Sequence, residues 1–271
     1  MDNQLLHQLK ITLRAACDGA AEILMGHFGN LKEISHKGEI DLVTIADREA
    51  ERVAIETIRA DFAEHSILAE ETGVDAGMEE GFRWIIDPLD GTTNFAHSLP
   101  VFSVSIGLEH HGRMLLGMVK APALGETFFA ERGQGATLNG KAIHVSKVAD
   151  LRQALTATGF AYDRHERAHY YLKYVAEMMQ RAQGIRRAGS ASLDLCSVAC
   201  GRIDVYWEEN IQPWDIAAGM LIAEEAGARV TNYRGGMMRL SERQIVASNG
   251  LVHDAAVAVL GPIWNETHPA Q

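Results

Sequence analysis

The chain has 271 residues, with 25 Lys plus Arg against 36 Asp plus Glu and a formal net charge of −11. That acidic balance repels a phosphate backbone rather than neutralising it, which argues against direct nucleic-acid binding. A hydrophobic content of 47% with 23% charged residues is that of a globular protein able to bury a core, and argues against intrinsic disorder.

Apolar residues recur at helical spacing from Leu5 to Phe28, and Gly29 with Asn30 supplies a stop, so an amphipathic helix opens the chain. A second helix is predicted after Thr44, whose hydroxyl can cap it while Asp47 sits three residues on in capping-box position. It runs through Val53, Ile55 and Ile58. Ser66 to Ala69 reads as a strand, and from Phe82 to about Phe129 short β-type runs follow one another, including an alternating Val101–Ile106, Met114–Val119 and Thr127–Ala130. These predict an antiparallel sheet.

After about Ala149 short strands (Ala154–Thr158, Ile203–Trp207, Ile245–Ala247) alternate with helical stretches (Glu166–Arg181, Ser190–Cys200, Trp214–Ala226). The alternation predicts a second, mixed β-α layer. At roughly 150 residues per domain the length allows one large domain or two fused lobes. With no long linker and no internal repeat, two closely packed lobes, about 1–149 and 150–271, with a cleft between them are expected.

The longest apolar stretches fall well short of the roughly 18 residues that a membrane-spanning helix needs. No basic-then-apolar signal segment opens the chain, so a cytoplasmic protein without membrane attachment is expected. Three cysteines, Cys17, Cys196 and Cys200, are too few and odd in number for a disulfide framework, and read as small buried hydrophobes.

Two motifs imitate chemistry. His165-Glu166-Arg167-Ala168-His169 matches a zinc-protease helix, but in a chain with 12 histidines the flanking Asp163, Arg164 and Arg167 mark a solvated helix start. Gly135 to Lys141 nearly spells a phosphate-binding loop, but Ala142 stands where a Ser or Thr hydroxyl is needed. Asn139-Gly140 reads instead as a two-residue hairpin turn.

The informative segment is Trp84-Ile85-Ile86-Asp87-Pro88-Leu89-Asp90-Gly91-Thr92-Thr93-Asn94-Phe95. At a strand end, Asp87 and Asp90 can converge on a hard cation, and Pro88 restricts the backbone so that the Leu89 carbonyl can join them. Oxygen-only ligands favour Mg²⁺ over Zn²⁺. Gly91, Thr92 and Thr93 then offer backbone N–H groups and hydroxyls to a phosphate. A Pro-containing turn would use the same residues without any chemistry. Three further segments tip the balance towards chemistry: Glu70-Glu71, Asp41 to Asp47, and Trp214-Asp215 to Gly219.

With these four segments in this order, the chain resembles the inositol monophosphatase family, within the Mg²⁺-dependent, Li⁺-sensitive phosphatases that include fructose-1,6-bisphosphatase. The resemblance covers nearly the whole chain, and also takes in Gly189-Ser190-Ala191 and Glu208. It implies an α+β fold, a layered αβαβα sandwich, and commonly a homodimer. Glu70, Asp87, Asp90, Asp215 and the Leu89 carbonyl would bind two or three Mg²⁺. Four carboxylates and a phosphate dianion carry roughly −6, which three divalent ions would balance.

The same resemblance gives Thr92 and Asp47, helped by Glu70, the task of activating the attacking water. Gly91, Thr92 and Thr93 would hold the phosphate, and Ala191, Glu208 and Asp90 would contact the alcohol portion. The implied reaction is in-line hydrolysis of a small phosphate monoester, inositol 1-phosphate first, with histidinol phosphate, fructose 1,6-bisphosphate and 3′-phosphoadenosine 5′-phosphate behind it. A carboxylate such as Glu208 suits vicinal hydroxyls or an ammonium group equally. Some bacterial relatives associate with the transcription machinery, so a partner protein with incidental phosphatase activity is the alternative of another class. Lys37 lies near a basic position of the family. Ala228 stands where the family usually has a second Gly at a helix end, which bears on the turn rather than the chemistry.

Overall fold

The computed structural model describes residues 2–29, 34–36, 42–75 and 81–268. The chain opens with α1 (Asn3–His27), whose first turn is capped by the Asp2 carboxylate, and continues through β1 (Ile34–His36), β2 (Leu42–Thr44) and α2 (Ile45–Asp61). The proposed Thr44 cap, Asp41 and Lys37 lie outside what is described. Next come β3 (Ser66–Ala69), β4 (Gly73–Asp75), β5 (Phe82–Asp90), the short α3 (Thr92–Ala96), β6 (Ser103–His110), β7 (Arg113–Ala121), β8 (Glu126–Glu131), β9 (Ala136–Leu138) and β10 (Lys141–Ile143). The remainder holds β11 (Leu155–Thr158), α4 (Arg164–Met179), β12 (Gly184–Arg186), α5 (Ala191–Ala199), β13 (Val205–Glu209), α6 (Pro213–Glu225), β14 (Arg229–Thr231), β15 (Gln244–Ser248) and α7 (His253–Thr267).

Eight strands form one sheet in the order β10-β9-β8-β7-β6-β5-β3-β4, and five form another in the order β12-β11-β13-β15-β14. Their faces define five layers. Leu9, Leu13 and Ala20 of α1 and Ala50, Ala54 and Ile58 of α2 pack with Trp84, Ile86, Val104 and Ile106 of the first sheet. Its other face meets α5 and α6, which also bury Tyr206, Ile245 and Ala247 of the second sheet. Beyond that sheet, Tyr174 and Met178 of α4 and Ala256 and Leu260 of α7 cover Val205, Trp207 and Val246. The αβαβα sandwich is therefore present.

The first sheet departs from the expected antiparallel arrangement at one place: β3 and β5 pair in parallel, so the sheet is mixed. The alternation around Val101–Ile106 belongs to a strand buried on both faces. Val104 and Ile106 enter the α1/α2 core, whereas Ser103 faces α5, its hydroxyl 2.7 Å from that of Ser192. Asn139 and Gly140 take φ of 49° and 76° between the paired β9 and β10, the expected two-residue turn. Gly227 supplies the positive φ after α6, so Ala228 is accommodated without it.

Cys17 and Cys196 are buried and Cys200 is partly buried. His165 and His169 do lie on α4, but Arg167 between them leaves helical geometry and pairs with Asp163 and Glu209.

α7 is tied to the second sheet through a buried histidine. Thr231 Oγ1 donates to the Asn232 carbonyl at 2.8 Å and so accepts from Nε2 of His253 at 2.8 Å. Nδ1 of the same ring then accepts from Ser248 Oγ at 2.8 Å, which assigns the neutral tautomer. Burial, reinforced by the Arg229 charge, lowers the His253 pKa from 6.5 to about 4. The unfolded chain takes up a proton near pH 6.5 that the folded chain refuses. This contribution is therefore complete above that pH and is lost as the pH falls towards 4, roughly 3 kcal/mol. Urea unfolding of wild type and His253→Asn at pH 7.5 and 4.5 is expected to show a steeper pH dependence for wild type. Equal pH dependence would contradict this assignment.

Candidate active site

Five stretches of the chain, at Glu70, Asp87–Thr93, Gly159–Arg164, Arg187–Asp194 and Glu208–Asp215, meet in one cleft between the two sheets. Because β3 runs parallel to β5 with Ala69 beside Ile86, the next residue, Glu70, emerges beside Asp87, and its N–H bonds the Ile86 carbonyl at 3.2 Å. Asp87 and Asp90 are three residues apart and in a regular strand would face opposite ways. The pairing of β5 with β6 carries Asp87 opposite Ser105 and Asp90 opposite Ser103, three steps against two, so the Pro88–Leu89 segment forms a bulge. Pro88 cannot donate to the ladder, which is why the irregularity falls there. The bulge absorbs one residue and brings both acids to the cleft, with Leu89 between them.

α3 follows at once. Gly91 adopts φ +100°, a backbone open chiefly to glycine, and starts the turn that presents Thr92 and Thr93 to the cleft. Two contacts fix this turn. Phe95 is buried against Phe28 and Phe102, and Asn94 Nδ2 donates to the Val101 and Ala188 carbonyls at 2.7 and 2.9 Å. Thr92 Oγ1 donates to the Leu89 carbonyl at 3.0 Å.

The helices supply the remaining groups. Asp215 lies in the first turn of α6, where its Oδ2 accepts from the Gln212 N–H at 2.8 Å. Ser190 and Ala191 open α5 beside Asp90. Ser190 Oγ, Ser192 N and Ser192 Oγ donate to Asp90 Oδ2 at 2.7, 2.7 and 2.6 Å, and Ala191 N donates to Oδ1 at 3.2 Å. Asp47 is buried in the first turn of α2, behind rather than on the cleft wall. One turn further on, the Glu51 carboxylate accepts from the N–H groups of Glu71 and Thr72 at 2.8 and 2.9 Å and so shapes the turn that carries Glu70.

Six carboxylates (Glu70, Asp87, Asp90, Asp194, Glu208, Asp215) and two guanidinium groups (Arg164, Arg187) line the cleft. Burial pushes Asp87 well above the usual carboxylate range, and repulsion from Glu70, Asp90, Asp215 and Asp47 adds to it. Asp215 is raised by burial and by Glu70 and Asp90. Burial raises Asp90 as well, offset in part by the Ser192 and Ser190 hydrogen bonds. Glu208 is pushed up to about 7, again chiefly by burial.

These acids are all hard oxygen donors, and among the described residues no histidine or cysteine lines the cleft. The set fits a hard divalent cation, which would relieve the mutual repulsion. Among the described residues no three such side chains are already gathered in ion-binding geometry. Asp90 and Asp215 are turned to protein donors instead, so the acids share a cleft rather than a closed cage. Mg²⁺, which keeps several waters and takes few carboxylates directly, suits that arrangement.

A strand bulge bearing two acids, a third acid on the parallel neighbour and a fourth at a helix start, all beside a Gly-Thr-Thr turn, is also an arrangement that a known family model spans. That model, of the inositol monophosphatase family, matches residues 5–265. The chain belongs to the inositol monophosphatase family.

Within this family, it is 44% identical over 265 residues to a Synechocystis protein named inositol-1-monophosphatase, covering 97% of this chain and 92% of the relative. It is 42% identical to the Nus factor SuhB of Vibrio cholerae, over 89% of this chain and 91% of that one. Its fold superimposes on the crystal structure of the extragenic suppressor protein suhB from Bartonella henselae with a TM-score of 0.89 at 37% identity, covering 93% and 98% of the two chains. Like its family, the chain is a hydrolase of phosphoric monoesters. Among the described residues no helix is long and apolar enough to cross a membrane.

Of the residues to which the resemblance gives a metal, catalytic or substrate role, all but Asp47 line this cleft: Glu70, Asp87, Leu89, Asp90, Gly91, Thr92, Thr93, Ala191, Glu208 and Asp215. Sequence reading missed Glu51, Asn94, Ser192, Asp194, Arg164 and Arg187. Asn94 lies inside the Trp84–Phe95 segment but was given no role there, Ser192 and Asp194 could have been flagged by their place in the first turn of α5, and the others carry no motif of their own.

Proposed function

We propose that this inositol monophosphatase family member hydrolyses inositol 1-phosphate, or a closely similar polyol phosphate, with Mg²⁺. The observation that carries the reading is the convergence of Glu70, Asp87, Asp90 and Asp215 on one cleft beside Gly91, Thr92 and Thr93. These four acids and the Leu89 carbonyl would hold two or three Mg²⁺. Such ions would supply positive charge that acidifies water and stabilises the charge developing in an in-line displacement.

The protein groups do the positioning. Gly91, Thr92 and Thr93 direct their N–H groups, and Thr93 its hydroxyl, at the phosphate oxygens, in a turn already held rigid by Asn94 and Phe95. The Thr92 hydroxyl, with its proton on the Leu89 carbonyl, presents lone pairs that can accept a hydrogen bond from the attacking water. Glu70, on the cleft wall, is the base for that water's proton, and Asp47, behind the wall, would act on it only through the Thr92 hydroxyl once that turns from Leu89. As the new P–O bond forms, the bond to the alcohol oxygen breaks, and a water beside Asp215 returns a proton to the leaving oxygen. Glu208, Ala191 and Asp90 are the contacts for the alcohol. We further propose that the chain acts as a homodimer, that its first half, 1–149, carries the phosphate turn and the metal ligands other than Asp215, and that its second half, 150–271, carries the alcohol contacts other than Asp90.

Phosphate release from inositol 1-phosphate, histidinol phosphate, fructose 1,6-bisphosphate and 3′-phosphoadenosine 5′-phosphate tests the substrate. The highest kcat/KM is expected for inositol 1-phosphate. A preference for histidinol phosphate would reassign Glu208 to an ammonium group, and a preference for either bisphosphate would displace the polyol reading. The likeness to a Nus factor supports a second reading, binding to the transcription machinery through another surface. Such a role would survive loss of catalysis in Asp90→Asn.

A further inference from the structure

We infer that Gly159 and Tyr206 are positioning residues for recognition of the substrate alcohol: together they set the place of the Glu208 carboxylate. The inference rests on the proposed role of Glu208 as the alcohol contact.

The register of the second sheet explains why these residues meet. β11 runs parallel to β13 with Ala157 beside Tyr206 and Thr158 beside Trp207, so Gly159 comes level with Glu208 as β11 ends. Side chains alternate along β13. Trp207 enters the core under α4 and α7, whereas Tyr206 faces α5 and α6, and Glu208, two residues on, faces the same way into the cleft. The Tyr206 hydroxyl donates to Glu208 Oε2 at 2.6 Å.

The same carboxylate also occupies the space that a side chain at Gly159 would need. A Cβ built there would lie 2.0 Å from Glu208 Oε2 and 2.3 Å from both Oε1 and Cδ. The three nearest atoms are thus all from one carboxyl group, with no backbone among them. Any side chain at 159 must therefore evict the Glu208 carboxylate, while leaving the strand itself room. Nothing about a polyol contact requires glycine at 159 except this approach. The Gly91–Thr93 turn follows β5 of the first sheet whereas Glu208 is on the second, so the effect is expected on the alcohol rather than on the phosphate.

The test uses purified protein with Mg²⁺, and compares inositol 1-phosphate with phenyl phosphate, which has no hydroxyls for Glu208 to receive. For Gly159→Ala the kcat/KM ratio of inositol 1-phosphate to phenyl phosphate is expected to fall about tenfold, through KM rather than kcat. Tyr206→Phe, which removes the hydroxyl without adding volume, should lower the ratio in the same direction. In a Glu208→Ala background Gly159→Ala should cost nothing further, because the two changes act through one carboxylate.

An unchanged ratio in Gly159→Ala, or a penalty that adds to that of Glu208→Ala, would overturn the inference. If Glu208→Ala itself leaves the ratio unchanged, the reading of Glu208 as the alcohol contact fails, and this is seen independently. Should Gly159→Ala alone not fold, the Glu208→Ala background is expected to restore its thermal unfolding midpoint, since the clash is gone. Failure of that rescue would equally overturn the inference.

Discussion

Replacing Asp90 by Asn is expected to lower phosphate release at least about a hundredfold, the rate equivalent of about 3 kcal/mol of transition-state stabilisation. Asp90 stands where two demands meet. It is one of the four acids proposed to hold Mg²⁺, and it also receives four hydrogen bonds from Ser190, Ala191 and Ser192 at the start of α5. Asn keeps one oxygen for the three donors that converge on Oδ2, but points an NH₂ group at the Ala191 N–H and loses the negative charge. The tie between β5 and α5 is thus mostly kept while the metal ligand is weakened. Thermal unfolding measured beside turnover separates the two demands. A large loss of turnover with a small loss of stability is the expected pattern, whereas near-normal turnover would remove Asp90 from the metal site.

Gly91→Ala is expected to damage both the fold and the reaction. A Cβ at this position would lie 2.9 Å from the Val101 carbonyl oxygen and 3.3 Å from the Gly189 oxygen and the Phe102 Cα. All three are backbone atoms, and Asn94 holds the first of these segments in place. The φ of +100° adds strain that no rotamer relieves. The cost should be about 2 to 4 kcal/mol, large for a single methyl group, because neither the turn nor its neighbours can give. Thr92 and Thr93 leave their positions with the turn, so turnover should fall more than tenfold even in the folded fraction. An unchanged unfolding midpoint together with unchanged kcat would show that the turn is neither rigid nor used.

Much of this architecture was legible because local pattern and tertiary role agree. Leu9, Leu13, Ala16 and Ala20 follow helical spacing and are the buried face of α1, and Asn139-Gly140 has the chemistry its hairpin turn demands. α7 was not read: Val257 and Val259 with Gly261 and Pro262 weaken the helical signal, and the helix owes its place to packing on β15 and to the buried His253. The parallel pairing of β3 with β5 was not read either, since no short turn joins them and only the completed sheet reveals it.

The site divides in the same way. Asp87, Asp90, Gly91 and Thr92 fall in one contiguous segment, and Glu70 and Asp215 each head a recognisable one. Their supports come from far along the chain: Ser192 to Asp90, Asn94 to Ala188, Glu51 to Glu71, Gly159 to Glu208. Such partners depend on the final register of two sheets, which no local pattern encodes. The bulge at Pro88–Leu89 is intermediate. Proline announces an irregularity, but only the count of residues against β6 shows that it turns both acids to one side.

The central claim is that the clustered acids of this cleft serve hydrolysis of a phosphate ester through divalent cations. The most direct measurement is phosphate release from inositol 1-phosphate by the wild-type protein, with Mg²⁺ and again after chelation. The expected result is turnover that disappears with the chelator and returns when Mg²⁺ is restored in excess. Turnover indifferent to chelation would contradict the proposed role of Glu70, Asp87, Asp90 and Asp215.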